Sequence, residues 1–315
     1  MMLSLEDIRR AQARIKPYVL PTLLERAPGL GERCWLKLEN TNQTHSFKVR
    51  GALNAVLSLD ETARSRGIVA ASSGNHAQGL AHAAFTAGIP AKILMPKHTP
   101  RRKIEGAKRY GAEVVLFGKT YDEAEAEGRR LEQVEQRTFI SPYNDLNVIA
   151  GAGTIGLEIV EALPTVERVI VCVSGGGLIA GVAAAVKSLK SEIEVIGVNA
   201  LSSPAMYNVF YQTHYPQNYD TLAEALSGDI EEGSVTIPLA QQYVDQIVLV
   251  TEDEIAAAIR WMVDDQGWMI EGGGAVGVAA LLHDKVPHDG RVTAVVVSGG
   301  NVDGNTLRRV LNEGM

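Results

Sequence analysis

Lys48 stands in the stretch THSFKVRGA, between Phe47 and Val49 and just ahead of a small-residue helix start. An amine there is either a solvated cation or, once a pocket takes it from water, a nucleophile able to form an imine with an aldehyde cofactor. Three other segments offer partners for such chemistry. In ASSGNHAQGLAHAA, the side chains of Ser72, Ser73, Asn75, His76 and Gln78 crowd one helix start. A helix cap needs only one such residue, and hydroxyls, an amide and backbone N–H groups together suit a carboxylate. His76 alone reads first as a structural histidine. In RVIVCVSGGGLIAG a buried strand ends, Ser174, Gly175, Gly176 and Gly177 turn sharply, and an Ala/Val-rich helix begins. Glycines let backbone approach a ligand, and the new helix offers free N–H groups and the positive end of its dipole. Three consecutive glycines exceed what a tight turn needs, so the pattern implies a phosphate site. In VVVSGGNVDG, Ser298 falls at the carboxyl edge of a strand, where open α/β sheets place their ligands.

Two further glycine-rich segments read differently. GAGTIG (151–156) is a literal GxGxxG. A dinucleotide site needs a strand before it and an acid ending the next strand. The next strand, RVIVCV, runs into Ser174 instead. A glycine-rich helix start packed against a sheet is therefore expected, and an NAD-dependent dehydrogenase is the weaker alternative. EGGGAVG (271–277) reads as another helix start, with Glu271 free to face either lobe.

The elements that must position these residues alternate regularly. Short β-branched runs (CWLKL, GIVAA, AKILM, AEVVLF, TFI, RVIVCV, EVIGV, QIVLV and VTAVVV) are separated by helix-length patterns. Several are apolar throughout, as strands buried on both faces should be. The pattern predicts an α/β fold of open, mostly parallel sheets with helices on both faces. HTPRRKIEGAKRYG offers Thr99 as N-cap, Pro100 as first helical residue and Gly111 past the end. TEDEIAAAIRWMV carries Thr251 and Glu254 in capping-box spacing. Residues 202–220 read as a helix followed by an aromatic loop. Two loop-like stretches, 39–46 and 141–145, are the expected crossovers between two lobes.

Composition narrows the function classes. The chain has 315 residues, 46% hydrophobic and 21% charged, enough for a two-lobed soluble protein. A net charge of -7 argues against nucleic-acid and anionic-membrane partners. The two cysteines, Cys34 and Cys172, sit in strand-like runs and read as buried free thiols; no Cys or His spacing suggests zinc. MMLSLEDIRR has no apolar leader segment, and no apolar run is long enough to span a bilayer. A cytoplasmic location is expected.

Taken in order, KLEN, HSFKVRGA, SSGNHAQG, PYND with VIAGAGTIGLEI, SGGGLIAG, VTEDEI and SGGNVD resemble the serine/threonine dehydratase branch of the fold-type II pyridoxal-phosphate enzymes, which includes serine racemases and hydroxyaspartate dehydratases. The similarity runs over nearly the whole chain. It implies a two-lobed fold with a large PLP-binding domain at 1–51 and 145–315 and a small mobile domain at 52–144. It implies pyridoxal 5'-phosphate held covalently by Lys48, with Phe47 against the ring. Asn75 would meet the phenolic oxygen, Ser174, Gly175, Gly176, Gly177 and Leu178 the phosphate, and Ser298 the pyridine nitrogen. Ser72, Ser73, Gly74, Asn75 and His76 would receive the substrate carboxylate. Lys48 would then remove the α-proton, and Ser73 would only bind carboxylate or, as in the racemases, act from the opposite face. The family also implies a homodimer and a small amino-acid substrate.

Departures from the family's pattern carry expectations too. Asn199 replaces a glutamate, and 203–205 supply no aspartate, so no metal site is expected. Ser174 stands for a glycine and its hydroxyl adds a donor to the phosphate. Ala225 also stands for a glycine and reshapes the floor of the cofactor pocket. No regulatory module follows SGGNVD, so feedback inhibition by isoleucine is not expected. The resulting reading is β-elimination of water from L-threonine or L-serine, giving a 2-oxo acid and ammonia. The alternatives are a serine racemase, a hydroxyaspartate or hydroxyectoine-pathway dehydratase, and a non-catalytic binding protein that keeps the fold.

Overall fold

The computed structural model describes residues 3–313. Met1 and Met2, which open the stretch read above for a leader segment, lie outside the described residues. In chain order the elements are α1 (Leu5–Ile15), β1 (Leu24–Arg26), β2 (Cys34–Leu38), α2 (Lys48–Leu57), α3 (Glu61–Arg66), β3 (Ile68–Ala71), α4 (Asn75–Ala87), β4 (Ala91–Met95), α5 (Arg101–Lys108), β5 (Glu113–Leu116), α6 (Tyr121–Glu135), β6 (Thr138–Phe139), α7 (Leu146–Ala162), β7 (Arg168–Cys172), α8 (Gly177–Leu189), β8 (Glu194–Ala200), α9 (Ala205–Tyr211), α10 (Thr236–Tyr243), β9 (Gln246–Val250), α11 (Glu252–Asp264), α12 (Gly272–Leu282), β10 (Thr293–Val297) and α13 (Gly304–Asn312).

The strands form two sheets. One has the order β1-β2-β10-β7-β8-β9 and is parallel except for β1; the other, β5-β4-β3-β6, is wholly parallel. Strands β3, β7 and β10 are buried at every position. That follows from their Val/Ile/Ala composition and from helices covering both faces. The chain leaves the first sheet after β2 and rejoins it at β7, so 39–46 and 141–145 lie where it changes sheet. Helix α2 bridges the two units, packing on both α4 and α7. A boundary drawn at 51/52 falls inside this continuous helix.

Three local expectations change. Thr99 is not a cap: α5 has Pro100 at its N-cap with no side-chain hydrogen bond, although Gly111 does lie past its end at φ +77°. The short edge strand β1 has no apolar run to announce it, being only half-buried. GAGTIG is not a helix start, although its Ala152 and Ile155 do join the core that packs on the six-stranded sheet. It occupies the interior of α7, where its glycines let α2 and α8 approach. A Cβ on Gly151 would stand 2.6 Å from the Arg50 carbonyl oxygen, and one on Gly181 of α8 would stand 2.3 Å from the Ile149 carbonyl oxygen. With no strand leading into it, the segment has none of the dinucleotide geometry. The capping box at Thr251 and Glu254 is present as expected.

Candidate active site

Lys48 is the first residue of α2, and the backbone before it is tied to the carboxyl end of β10. Ser46 bridges Gly299 in antiparallel fashion, the Phe47 N–H donates to the Ser298 carbonyl at 3.0 Å, and the Gly300 N–H donates to the His45 carbonyl at 2.9 Å. On the other side Gly79 of α4 lies against Lys48; a Cβ there would be 3.1 Å from the Lys48 carbonyl carbon. Lys48 Nζ donates to the Pro142 carbonyl oxygen at 2.8 Å and lies 5.0 Å from the Phe47 ring centroid. Burial pushes the amine down to about 8, against the pull of Cys172 and Glu271. About a tenth of such an amine is free base at pH 7, far more than for an ordinary lysine.

Two residues further on, Arg50 anchors the helix. Its guanidinium donates to Glu39 at 2.8 and 2.9 Å, to Glu158 at 2.6 and 2.9 Å and to Thr154 at 3.1 Å. Lys37 reaches Glu158 at 2.6 Å and the Thr22 carbonyl at 2.8 Å. Burial acts to raise the Glu39 carboxyl, but the adjacent Arg50 outweighs it and holds it below the usual range. Two cations and two anions thus balance in the interior, which a buried charge requires. The sequence reading gave these four residues no role.

The turn carrying Ser72, Ser73 and Gly74 links β3 to α4, whose N-terminus has no side-chain cap. The Gly74 N–H donates to Ser72 Oγ at 3.2 Å. His76 is buried, with Nε2 3.1 Å from the Ile140 carbonyl oxygen and Nδ1 without a partner. Burial, then Lys48, pushes it down to about 3, so the ring is neutral and Nδ1 is the acceptor. Asn75 Nδ2 donates to Glu271 Oε1 at 2.6 Å, and Asn75 Oδ1 accepts from Asn301 Nδ2 at 2.8 Å. Burial raises the Glu271 carboxyl to about 7, opposed by Asn75 and the Asn301 N–H.

The glycine turn joins β7 to α8. Gly176 has φ +89°, and α8 begins with no side-chain cap. Its first N–H groups therefore have no partner in the helix. The other glycines are demanded by protein neighbours rather than by a turn: a Cβ on Gly175 would be 2.5 Å from the Tyr143 ring, and one on Gly177 2.9 Å from Tyr143 Cα. Thr236 Oγ1 donates to the Gly175 carbonyl at 2.6 Å. Tyr143 directly follows the Pro142 carbonyl that accepts from Lys48, so amine and turn are neighbours.

Ser298 is buried after β10. Its Oγ donates to the Gly273 carbonyl at 3.3 Å, long for a hydroxyl donor and easily exchanged. Cys172 lies against it, and burial raises that thiol to about 11. Both cysteines are free and buried. Asn199 is fully buried; its Nδ2 donates to the Val173 and Ser203 carbonyls and its Oδ1 accepts from the Tyr207 N–H. Among the described residues no group of three or more His, Cys, Asp or Glu side chains could hold a metal ion, and no helix is long and apolar enough to cross a membrane. Ala225 is exposed on a short turn with its Cβ 3.4 Å from the point a Cβ on Gly273 would occupy.

The structure thus brings Lys48, Phe47, Asn75, the glycine turn and Ser298 into one neighbourhood between the two sheets. It adds Glu271, Asn301, Pro142 and Tyr143. Glu271 was visible in the sequence as an acid beside a glycine-rich helix start, and Pro142, Tyr143 and Asn301 lay inside the PYND and SGGNVD motifs with no role assigned to them.

Comparison with known proteins identifies the family. The family described as "Pyridoxal-phosphate dependent enzyme" matches residues 15–299. L-threonine ammonia-lyase of Thermotoga maritima is 44% identical over 100% of this chain and 79% of its own length. The catabolic L-threonine dehydratase of Escherichia coli K12 is 40% identical over 95% of this chain and 93% of its own. The structure of maize serine racemase superposes with a TM-score of 0.92 at 31% identity, covering 100% of this chain and 98% of that one.

Proposed function

Because the chain belongs to the family of pyridoxal-phosphate dependent enzymes, we propose that it is an ammonia-lyase that eliminates water from a small β-hydroxy amino acid, L-threonine or L-serine, and that hydrolysis of the released enamine takes a water back up and gives ammonia and a 2-oxo acid. The relatives named for threonine dehydration support this substrate class. The observation that carries the reading is the Lys48 amine, 2.8 Å from the Pro142 carbonyl and one residue from the tyrosine that covers the glycine turn.

The donor set suits the cofactor. Lys48 would hold its aldehyde, and the uncapped N–H groups at Ser174–Leu178 its phosphate. Phe47 would lie against the ring, Asn75 near the ring oxygen and Ser298 near the ring nitrogen. When bound, the cofactor supplies a conjugated ring that takes up the electron pair left at the substrate α-carbon. Ser72, Ser73, Gly74, Asn75 and His76 receive the substrate carboxylate at the uncapped start of α4. Lys48, displaced by the incoming amino group, takes the α-proton at Nζ, a task suited to an amine whose pKa is near neutrality. The β-hydroxyl leaves as water. Ser298, a neutral hydroxyl, cannot keep a proton fixed on the ring nitrogen as a carboxylate would. That favours prompt loss of the leaving group over transamination.

Ser73 supports a second outcome. Its hydroxyl has no hydrogen-bond partner among the described residues, and the serine racemase superposes over the full chain. Protonation of the α-carbon by Ser73 from the face opposite Lys48 inverts it. A two-domain arrangement with 52–144 as the mobile part, a homodimer and a cytoplasmic location belong to the same reading; sedimentation tests the dimer.

Assaying ammonia, 2-oxo acid and enantiomer ratio with each substrate tests the proposal. Release of 2-oxo acid, lost together with the visible cofactor band in Lys48→Ala, is the expected result. Ser73→Ala should lose any racemisation and keep elimination. A protein without a Lys48-dependent band, or without turnover of any β-hydroxy amino acid, refutes it.

A further inference from the structure

Asn75 belongs to a closed set of hydrogen bonds that decides which end of its amide faces where. The Thr44 carbonyl oxygen can only accept, so Asn301 must turn Nδ2 towards it, at 2.9 Å. The other hydrogen of that Nδ2 goes to Asn75 Oδ1 at 2.8 Å, which makes Oδ1 the acceptor. Asn75 Nδ2 then faces Glu271 Oε1 at 2.6 Å and keeps one hydrogen that no protein atom among the described residues accepts. Glu271 is locked in its turn. Its N–H donates to the Gly299 carbonyl at 3.2 Å, and Oε1 lies 2.6 Å from where a Cβ on Gly299 would be. It is 9% exposed, makes no salt bridge among the described residues, and does not cap α12 with its side chain. Burying an acid with no ion-pair partner is costly, and its hydrogen bonds come from Asn75 and the Asn301 N–H.

We propose that Glu271 and Asn301 are positioning residues that orient the Asn75 amide so that one of its N–H groups stays free for the cofactor's ring oxygen. The proposal rests on the reading of Asn75 as a cofactor ligand. Asn75 comes from the four-stranded unit, and its two partners come from the six-stranded one. The substitutions act differently on the chain of bonds. Asn301→Asp removes both donors and turns the Asn75 amide round. Glu271→Ala removes the acceptor, whereas Glu271→Gln keeps one acceptor oxygen.

The test uses holoenzymes carrying each substitution, alone and with Asn75→Ala. It reads the pH midpoint of the visible absorption band and the dissociation constant of pyridoxal phosphate. Glu271→Ala and Asn301→Asp should each move the midpoint and weaken cofactor binding about tenfold, the equivalent of a lost hydrogen bond. Glu271→Gln should fall between them and the unaltered protein. In the Asn75→Ala background neither should add more than about twofold, because the group they orient is gone. Effects that persist undiminished in that background overturn the proposal, as does an unchanged band in Glu271→Ala. Should Glu271→Ala fail to fold, Glu271→Gln and Asn301→Asp carry the same comparison. An unaltered protein with no Lys48-dependent band overturns the parent reading as well, and is recognised before any variant is compared.

Discussion

Gly151→Ala adds one methyl group between two helices and should disturb the chemistry more than the fold. The new Cβ would stand 2.6 Å from the Arg50 carbonyl oxygen, 2.6 Å from Gly51 Cα and 2.8 Å from the Arg50 carbonyl carbon. All three are backbone atoms, so no rotamer change relieves the contact. Carbon contacts relax only beyond about 3.5 Å, and α7 and α2 must therefore part by roughly 1 Å. Overpacking of this kind costs about 1–3 kcal/mol, offset by about 1 kcal/mol from the better helix propensity of alanine. The net loss is about 0–2 kcal/mol, or a melting temperature lower by up to about 8 °C in a chain of this size. Helix α2 carries Lys48 at its first position and is pinned by Arg50 on the side of the intrusion. Displacing a reacting group by about 1 Å can cost about 100-fold in rate. Thermal melting and kcat for 2-oxo acid release are the assays, and kcat should fall between about 10- and 100-fold. A Gly151→Ala protein that melts at or above the unaltered one and keeps its kcat refutes the packing argument.

Arg50→Met leaves Glu39 buried without its ion-pair partner and Glu158 with Lys37 alone, and should lower the unfolding free energy by about 3–5 kcal/mol, read by urea denaturation. Asn199→Asp replaces two donated hydrogen bonds by repulsion between a carboxylate and the Val173 and Ser203 carbonyls. It should cost several kcal/mol, on the order of 2–4, and melting should recover as pH falls and the carboxyl is protonated. In the cofactor-free protein the buried Lys48 amine holds its proton less tightly than when unfolded, at about 8 against 10.5. The unfolded chain therefore binds the extra proton between those values, and stability rises with pH across that window. Below about pH 8 the full penalty of roughly 3 kcal/mol applies. Lys48→Met should be the more stable protein at pH 7, by an amount that shrinks towards pH 10.5 in urea midpoints.

The strands were legible because parallel strands buried on both faces leave unbroken apolar runs, as in RVIVC and TAVVV. Strand β1 left none, since an edge strand of three residues needs only one sheltered side. The glycines of GAGTIG were visible but their purpose was not. Close helix–helix approach and a helix start leave similar marks in one dimension, and only the partner helices distinguish them. Lys48 and the residues expected around it were readable from local spacing. Asn301 was not, because it meets Asn75 across 226 positions of chain. The quartet of Lys37, Glu39, Arg50 and Glu158 likewise consists of ordinary charged letters until the fold removes them from water.

The strand order has a consequence for how the protein comes into being. β10 sits in the interior of the six-stranded sheet, between β2 near the start of the chain and β7 in its middle. Every strand of the four-stranded sheet has been made once Phe139 is joined, and that sheet can assemble while translation continues. The larger sheet must wait with a gap at its centre until residues 293–297 are made, and Ser298 arrives with them. The cofactor site can therefore be completed only once residues 293–298 have been made, so a nascent chain stalled earlier would expose an unpaired β2 edge and no finished site.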